Sequence, residues 1–252
     1  MTTLIRPRPF RFLALLLTVA LCAGTVARGA DSECVKQMKL AAKEIKAGTY
    51  DAALQVLDTA MDAATLRGER FAVDYLRGKV YNRLGKHRTA YNHLKRAGLV
   101  LEKLADAKFE LGWAYVGLGE YKDGIVSLEA YEKAKPGGSL TSSLMGEAYL
   151  GMGDLDKAEQ HLNEAVKRDS KLAVTAKFLL AEVARRRGDA EGCVTRLRKI
   201  QDDHPDSVIG QWLAEMGGPV EASKTRVTPV TMAASAGLGM DNNVIGRNDG
   251  VP

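Results

Sequence analysis

Along residues 34–205 apolar and polar positions alternate with a helical period, and glycine breaks that period at nearly even intervals. Gly48, Gly85, Gly119, Gly153 and Gly188 are separated by 37, 34, 34 and 35 residues. Seven residues before each stands a small residue: Ala41, Gly78, Gly112, Gly146 and Ala181. Five residues after each stands another: Ala53, Ala90, Gly124, Ala158 and Cys193. Four further on is always leucine: Leu57, Leu94, Leu128, Leu162 and Leu197. A fixed period of this length predicts stacked units, here five pairs of short helices joined by tight turns.

The two kinds of glycine have different explanations. In FELGWAYVGLGEY (Phe109 to Tyr121), Gly119 ends the first helix of its unit, where a left-handed residue is cheapest as glycine. Gly112 sits inside that helix, at a propensity cost of about 1 kcal/mol against alanine. A missing side chain there lets the second helix approach closely, with Gly124 as the matching gap, and packing outweighs propensity. After Pro205, DSVIGQWLAEM (Asp206 to Met216) predicts a capping helix. Asp206 or Ser207 opens it, and Val208, Ile209, Trp212 and Leu213 form one apolar face.

These units resemble the tetratricopeptide repeat (TPR) family. Gly112, Tyr115, Gly119 and Tyr121 match its pattern, as do Gly146, Tyr149, Gly153 and Ala158, then Gly48, Tyr50, Ala53 and Ala60, and the terminal Pro205. Tyr131 and Ile200 stand where the family usually has alanine. The resemblance covers roughly residues 34–205. It implies an all-α, right-handed superhelix of about five helix–turn–helix repeats with a capping helix, over residues 31–216.

The resemblance also implies a groove, lined by the first helix of each repeat, that takes an extended peptide or a helix. In the family's register the lining begins with Tyr75, Lys79 and Asn82, then Phe109, Trp113 and Val116. Ser143, Glu147 and Leu150 come next, then Phe178, Glu182 and Arg185. The aromatic members are natural interface anchors; the alternative is that some of them pack between repeats. Lys79 and Asn82 alone do not make the Lys/Asn set with which some TPR proteins hold a C-terminal carboxylate.

Residues 1–30 differ in kind. Arg6, Arg8 and Arg11 precede the apolar run FLALLLTVALCA (Phe12 to Ala23) and then small residues, the layout of a secretory signal peptide. The run is shorter than the roughly 20 residues a spanning helix needs. Ala27 and Gly29 place cleavage near Ala30; an uncleaved anchor is the alternative, and Leu21 beside Cys22 speaks against a lipoprotein site. Removing residues 1–30 also removes four arginines and no acid, so 36 − 4 = 32 cations face 31 acids and the net charge falls from +5 to +1. Nothing then favours nucleic acid, which needs a basic face. The expected location is the periplasm or the periplasmic face of the outer membrane.

Residues 217–252 form a linker and tail. VTPVTMAASAGLGMDNNV (Val227 to Val244) alternates apolar with small or polar residues, a strand period that suits a lipid-exposed barrel strand. GLGMDNNV (Gly237 to Val244) resembles the first barrel strand of outer-membrane proteins with a periplasmic TPR domain, such as the surface lipoprotein assembly modifier family. A disordered tail is the alternative.

No chemistry stands out. His161 and Glu164 share a helix face but have no HExxH-type partner set, and GLGE and GMGD follow helices rather than strands, so neither is a phosphate loop. Cys193 occupies a small-residue position, where a thiol acts as a small apolar group, and no bridge to Cys34 is expected. Arg185, Arg186 and Arg187 suit the C-terminus of their helix electrostatically. The expectation is a non-enzymatic scaffold, without cofactor or metal, that binds a protein or peptide. The alternative is the periplasmic portion of an outer-membrane transport, secretion or surface-assembly protein.

Overall fold

A computed structural model describes residues 32–98, 104–168 and 173–219. The signal peptide expected over residues 1–30 and the tail of 217–252, with the alternation expected over 227–244, lie outside the described residues apart from 217–219. Those described are helical and fall into two compact units: 32–80 with 92–98 and 104, and 81–91 with 105–168 and 173–219.

The first unit holds α1 (Glu33–Ala47), α2 (Tyr50–Asp62), and most of α3 (Arg67–Arg83) and α4 (His87–Ala97). Ser32 caps α1: its Oγ accepts from the Val35 N–H at 3.2 Å and donates to Glu69 at 2.6 Å. The α1–α2 turn closes on Gly48 at φ 82°. The Thr49 N–H donates to Glu44 O at 3.1 Å and the Gly48 N–H to Ile45 O at 3.3 Å, the paired bonds of a left-handed helix end. Ala41, Ala53, Leu57 and Ala60 are wholly buried where the small residues and leucine were predicted. Arg77 reaches back from α3 to Asp58 and to the carbonyl of Leu57.

The second unit holds the ends of α3 and α4 and then α5 (Ala105–Gly117), α6 (Tyr121–Ala134), α7 (Ser139–Met152), α8 (Leu155–Arg168), α9 (Ala173–Arg186), α10 (Ala190–Asp203) and α11 (Val208–Glu215). Successive helices pair as hairpins. The same turn recurs at Gly119, Gly153 and Gly188, with φ between 79° and 83°, and the following residue's N–H returns to Tyr115, Tyr149 and Ala184.

The crossing points have the expected form. A Cβ on Gly112 would lie 2.7 Å from Leu128 Cγ and 3.2 Å from the Gly124 carbonyl oxygen. One repeat later, a Cβ on Gly146 would lie 2.6 Å from Leu162 Cγ and 3.2 Å from the Ala158 carbonyl oxygen. The helices therefore touch backbone to leucine, with no room for a methyl group. Ser207, not Asp206, caps α11, accepting from the Gly210 N–H at 3.0 Å. Trp212 of α11 meets Phe178 of α9 edge to face, ring centroids 5.8 Å apart, and closes the apolar cluster of α9 and α10. No helix among the described residues is long and apolar enough to cross a membrane.

Candidate functional site: the face of the first helices

The predicted groove residues all lie on first helices, but most of their surface is already used by the chain itself. In the first unit Tyr75 is buried and Lys79 half-buried. In the second, Asn82, Trp113, Val116, Glu147, Phe178 and Glu182 are buried, and Phe109 and Arg185 half-buried. Ser143 and Leu150 are buried as well. Phe178 is committed to the capping helix through Trp212.

At one end of this face a polar network holds α3 to α5. Glu110 is 2% exposed and receives both terminal nitrogens of Arg83 at 3.3 Å. Asn82 Nδ2 donates to the Glu110 carboxylate at 3.0 Å and to its carbonyl at 2.8 Å, while Asn82 Oδ1 is buried with no donor among the described residues. The Arg83 guanidinium lies 4.3 Å from the Trp113 ring centre, so one arginine serves an ion pair and a cation–π contact together. Phe109 extends this platform, with its ring 5.9 Å from Trp113 and 5.1 Å from Tyr131. Tyr131 thus fills, with an aromatic contact, a position at which the repeat usually carries alanine.

At the other end, Glu182 receives Arg185 Nε at 2.6 Å, Arg185 Nη2 at 2.7 Å and Arg186 Nε at 2.8 Å. Burial opposes its charge, but the two guanidinium groups outweigh that and hold the carboxyl below its ordinary value. Arg186 also donates to the Leu150 carbonyl at the end of α7, at 2.7 Å. Arg187 binds Asp156 and Glu159 of α8. Arg186 and Arg187 therefore fasten this repeat to the one before it, while Arg185 neutralises Glu182 within its own helix.

Between these networks lies Glu147 of α7. It is 3% exposed and, among the described residues, has no hydrogen-bond donor or cation partner. Burial alone pushes its carboxyl up to about 8.

Two ring-on-glycine contacts repeat along the same helices. A Cβ on Gly117 would fall 2.2 Å from the His87 ring, and one on Gly151 2.2 Å from the Tyr121 ring. His87 and Tyr121 each open a second helix, and each ring occupies the space left on the following repeat's first helix. Burial lowers the His87 pKa to about 4, and its Nδ1 has no hydrogen-bond partner among the described residues. Neither Gly117 and Gly151 nor the Glu110–Arg83 network was among the predicted features. The 34-residue spacing shared by His87 with Tyr121 and by Gly117 with Gly151 was the signal for the first. A charge inside the apolar stretch before Gly112 was the signal for the second.

Away from this face, a cavity of about 330 Å³ lies against α6, α7 and α8, lined by Glu129, Glu132, Ser142, Met145, His161 and Glu164 among others. His161 stacks on Tyr149 at 5.3 Å, and Arg168 spans Glu132 and Glu164. Among the described residues no group of three His, Cys, Asp or Glu side chains is placed to hold a metal ion. Cys34 and Cys193 are free and buried; burial, with the charge of Glu69, pushes Cys34 up to about 11, and burial raises Cys193. Neither thiol is primed as a nucleophile.

Residues 144–192 match the tetratricopeptide repeat family. No curated protein matches the chain in sequence. Among solved structures, the chain is similar to a thermophilic TPR protein of Thermus thermophilus, at 20% identity and TM-score 0.52, over 68% of this chain and 91% of that one. It is similar to MamA from Desulfovibrio magneticus RS-1 at 19% identity and TM-score 0.53, over 69% and 96%. It is also similar to YrrB, described as a TPR protein with an unusual peptide-binding site, at 17% identity and TM-score 0.51, over 73% and 92%. The fold is that of the tetratricopeptide repeat proteins.

Proposed function

We propose that the tetratricopeptide repeats of this chain form a non-enzymatic scaffold of the cell envelope that binds a protein or peptide along the first helices. Repeats of this fold gather partners on a repeated helical face, and the described residues offer polar networks and aromatic platforms rather than a catalytic constellation. The observation that carries the reading is the platform of Phe109, Trp113 and Arg83 on that face. Trp113 is 3% exposed and belongs to the core, so Phe109 is the aromatic group left to meet a partner. The charged start and apolar run of residues 6–23 support the envelope location.

Affinity capture from envelope extract tests the face. The Phe109→Ala chain, shown folded by circular dichroism, should recover less partner than wild type; equal recovery counts against the face. The alternation of residues 227–244 favours a second reading, the periplasmic portion of an outer-membrane transport, secretion or surface-assembly protein. Membrane fractionation with and without residues 220–252 separates the two. Loss of membrane association on deletion supports the second reading, and unchanged fractionation removes it.

A further inference from the structure

The cations along the first-helix face of the second unit are committed. Arg83 is held by Glu110, and Arg185 and Arg186 by Glu182. Glu147 is the exception among the acids. It follows Gly146 as Glu182 follows Ala181, so the two occupy the same register position in successive repeats. Their surroundings differ: Glu147 lies close enough to the Tyr121 phenol for its charge, after burial, to raise that group, and the charged neighbours on the two helices are not the same. Three and four residues after Glu182 come Arg185 and Arg186, which neutralise it. Three and four residues after Glu147 come Leu150 and Gly151, which supply no charge. Tyr121 occupies the space at Gly151, its ring where a side chain would start. The fold thus satisfies one acid from its own helix and, among the described residues, gives the equivalent acid no counter-charge.

A buried carboxylate with no partner is penalised by several kcal/mol when charged, and the group becomes neutral instead unless a cation arrives. Glu147 behaves in this way, its carboxyl raised by burial. A second buried acceptor on the same face, Asn82 Oδ1, also has no donor among the described residues. An anionic segment gains nothing here, because the arginines that would receive it are engaged. A metal ion finds no set of three suitable ligands among the described residues.

We propose that Glu147 is the anchor for a cationic side chain, lysine or arginine, of an extended peptide lying along α5, α7 and α9. The inference rests on the reading of this face as the docking surface and names the chemistry of its ligand. The incoming ammonium or guanidinium supplies the counter-charge that Arg185 and Arg186 give Glu182, and Glu147 ionises as the pair forms.

The test uses immobilised positional-scanning dodecapeptides probed with the full chain, then fluorescence anisotropy on the best peptide and its norleucine counterpart. Lysine or arginine should be selected at one position, and norleucine there should weaken binding about tenfold to a hundredfold, the worth of a charge-assisted hydrogen bond. Glu147→Gln should abolish that difference. Glu159→Gln, on a second helix, should keep it. Glu147→Met serves as the second variant, since both fill the site without a charge. Peptide binding with no cation selected, or a selection unchanged in both Glu147 variants, overturns the anchor and leaves the docking face standing. No binding by any peptide overturns both.

Discussion

Gly112→Ala sets two effects of opposite sign against each other. In an isolated helix the change stabilises by about 1 kcal/mol. Here the new Cβ would sit 2.7 Å from Leu128 Cγ and 2.9 Å from its Cδ2, with the Gly124 carbonyl oxygen at 3.2 Å. Leu128 is wholly buried and meets the methyl at its branch point, so a change of rotamer does not clear the clash. Overpacking of this kind costs about 1–3 kcal/mol. The net expectation is a destabilisation of about 1–2 kcal/mol once the propensity gain is subtracted. Urea unfolding followed by circular dichroism measures it, with the m-value checked for loss of cooperativity, a risk in repeat proteins. Leu128→Ala alone should cost about 2–5 kcal/mol. The double variant should be more stable than the sum of the two by about 1 kcal/mol or more, because the new methyl occupies part of the space the leucine leaves. Gly146→Ala against Leu162 should repeat the result. A Gly112→Ala chain as stable as wild type, or strict additivity in the cycle, would refute the packing argument.

Further expectations follow from individual contacts. Gly117→Ala should destabilise by about 1–3 kcal/mol in thermal unfolding, because the His87 ring, not a flexible chain end, fills the space. Trp113→Ala should cost about 3–5 kcal/mol, which makes it unsuitable as a binding variant. Ser207→Ala should cost about 1 kcal/mol and loosen α11 first, seen as faster hydrogen exchange over Val208–Glu215. Glu147 binds its proton more tightly folded than unfolded, with its carboxyl moved from about 4.5 to about 8. The stability this gives is complete below about pH 4.5 and is lost as pH rises towards 8, at up to about 1.4 kcal/mol per pH unit. Measured as wild type minus Glu147→Gln, unfolding free energies should therefore fall by a few kcal/mol from pH 5 to 8; a flat difference would show that the group is not isolated.

What was legible in the sequence is what the backbone itself demands. A left-handed turn and a close helix crossing admit few residues, so Gly119, Gly112 and their equivalents announced the hairpins, their register and the buried leucines. Side-chain traffic was less legible. Register places Trp113, Phe178 and Glu147 on one face, but it does not say that Arg83 covers the first, that Trp212 claims the second, or that the third has no counter-charge among the described residues. Those outcomes depend on which neighbour reaches across from another repeat. The pairing of Glu182 was half-visible, since Arg185 and Arg186 lie at helical spacing from it. The burial of Glu110 was not, because its partner Arg83 is 27 residues away in sequence.

The central claim is that a partner lies along the first helices, and site-specific photo-crosslinking tests it most directly. A photoreactive phenylalanine analogue placed at Phe109 should form an adduct with the partner in envelope extract. The same analogue at Val126, 65% exposed on α6, should form none. Adducts from Val126 and none from Phe109 would contradict the account.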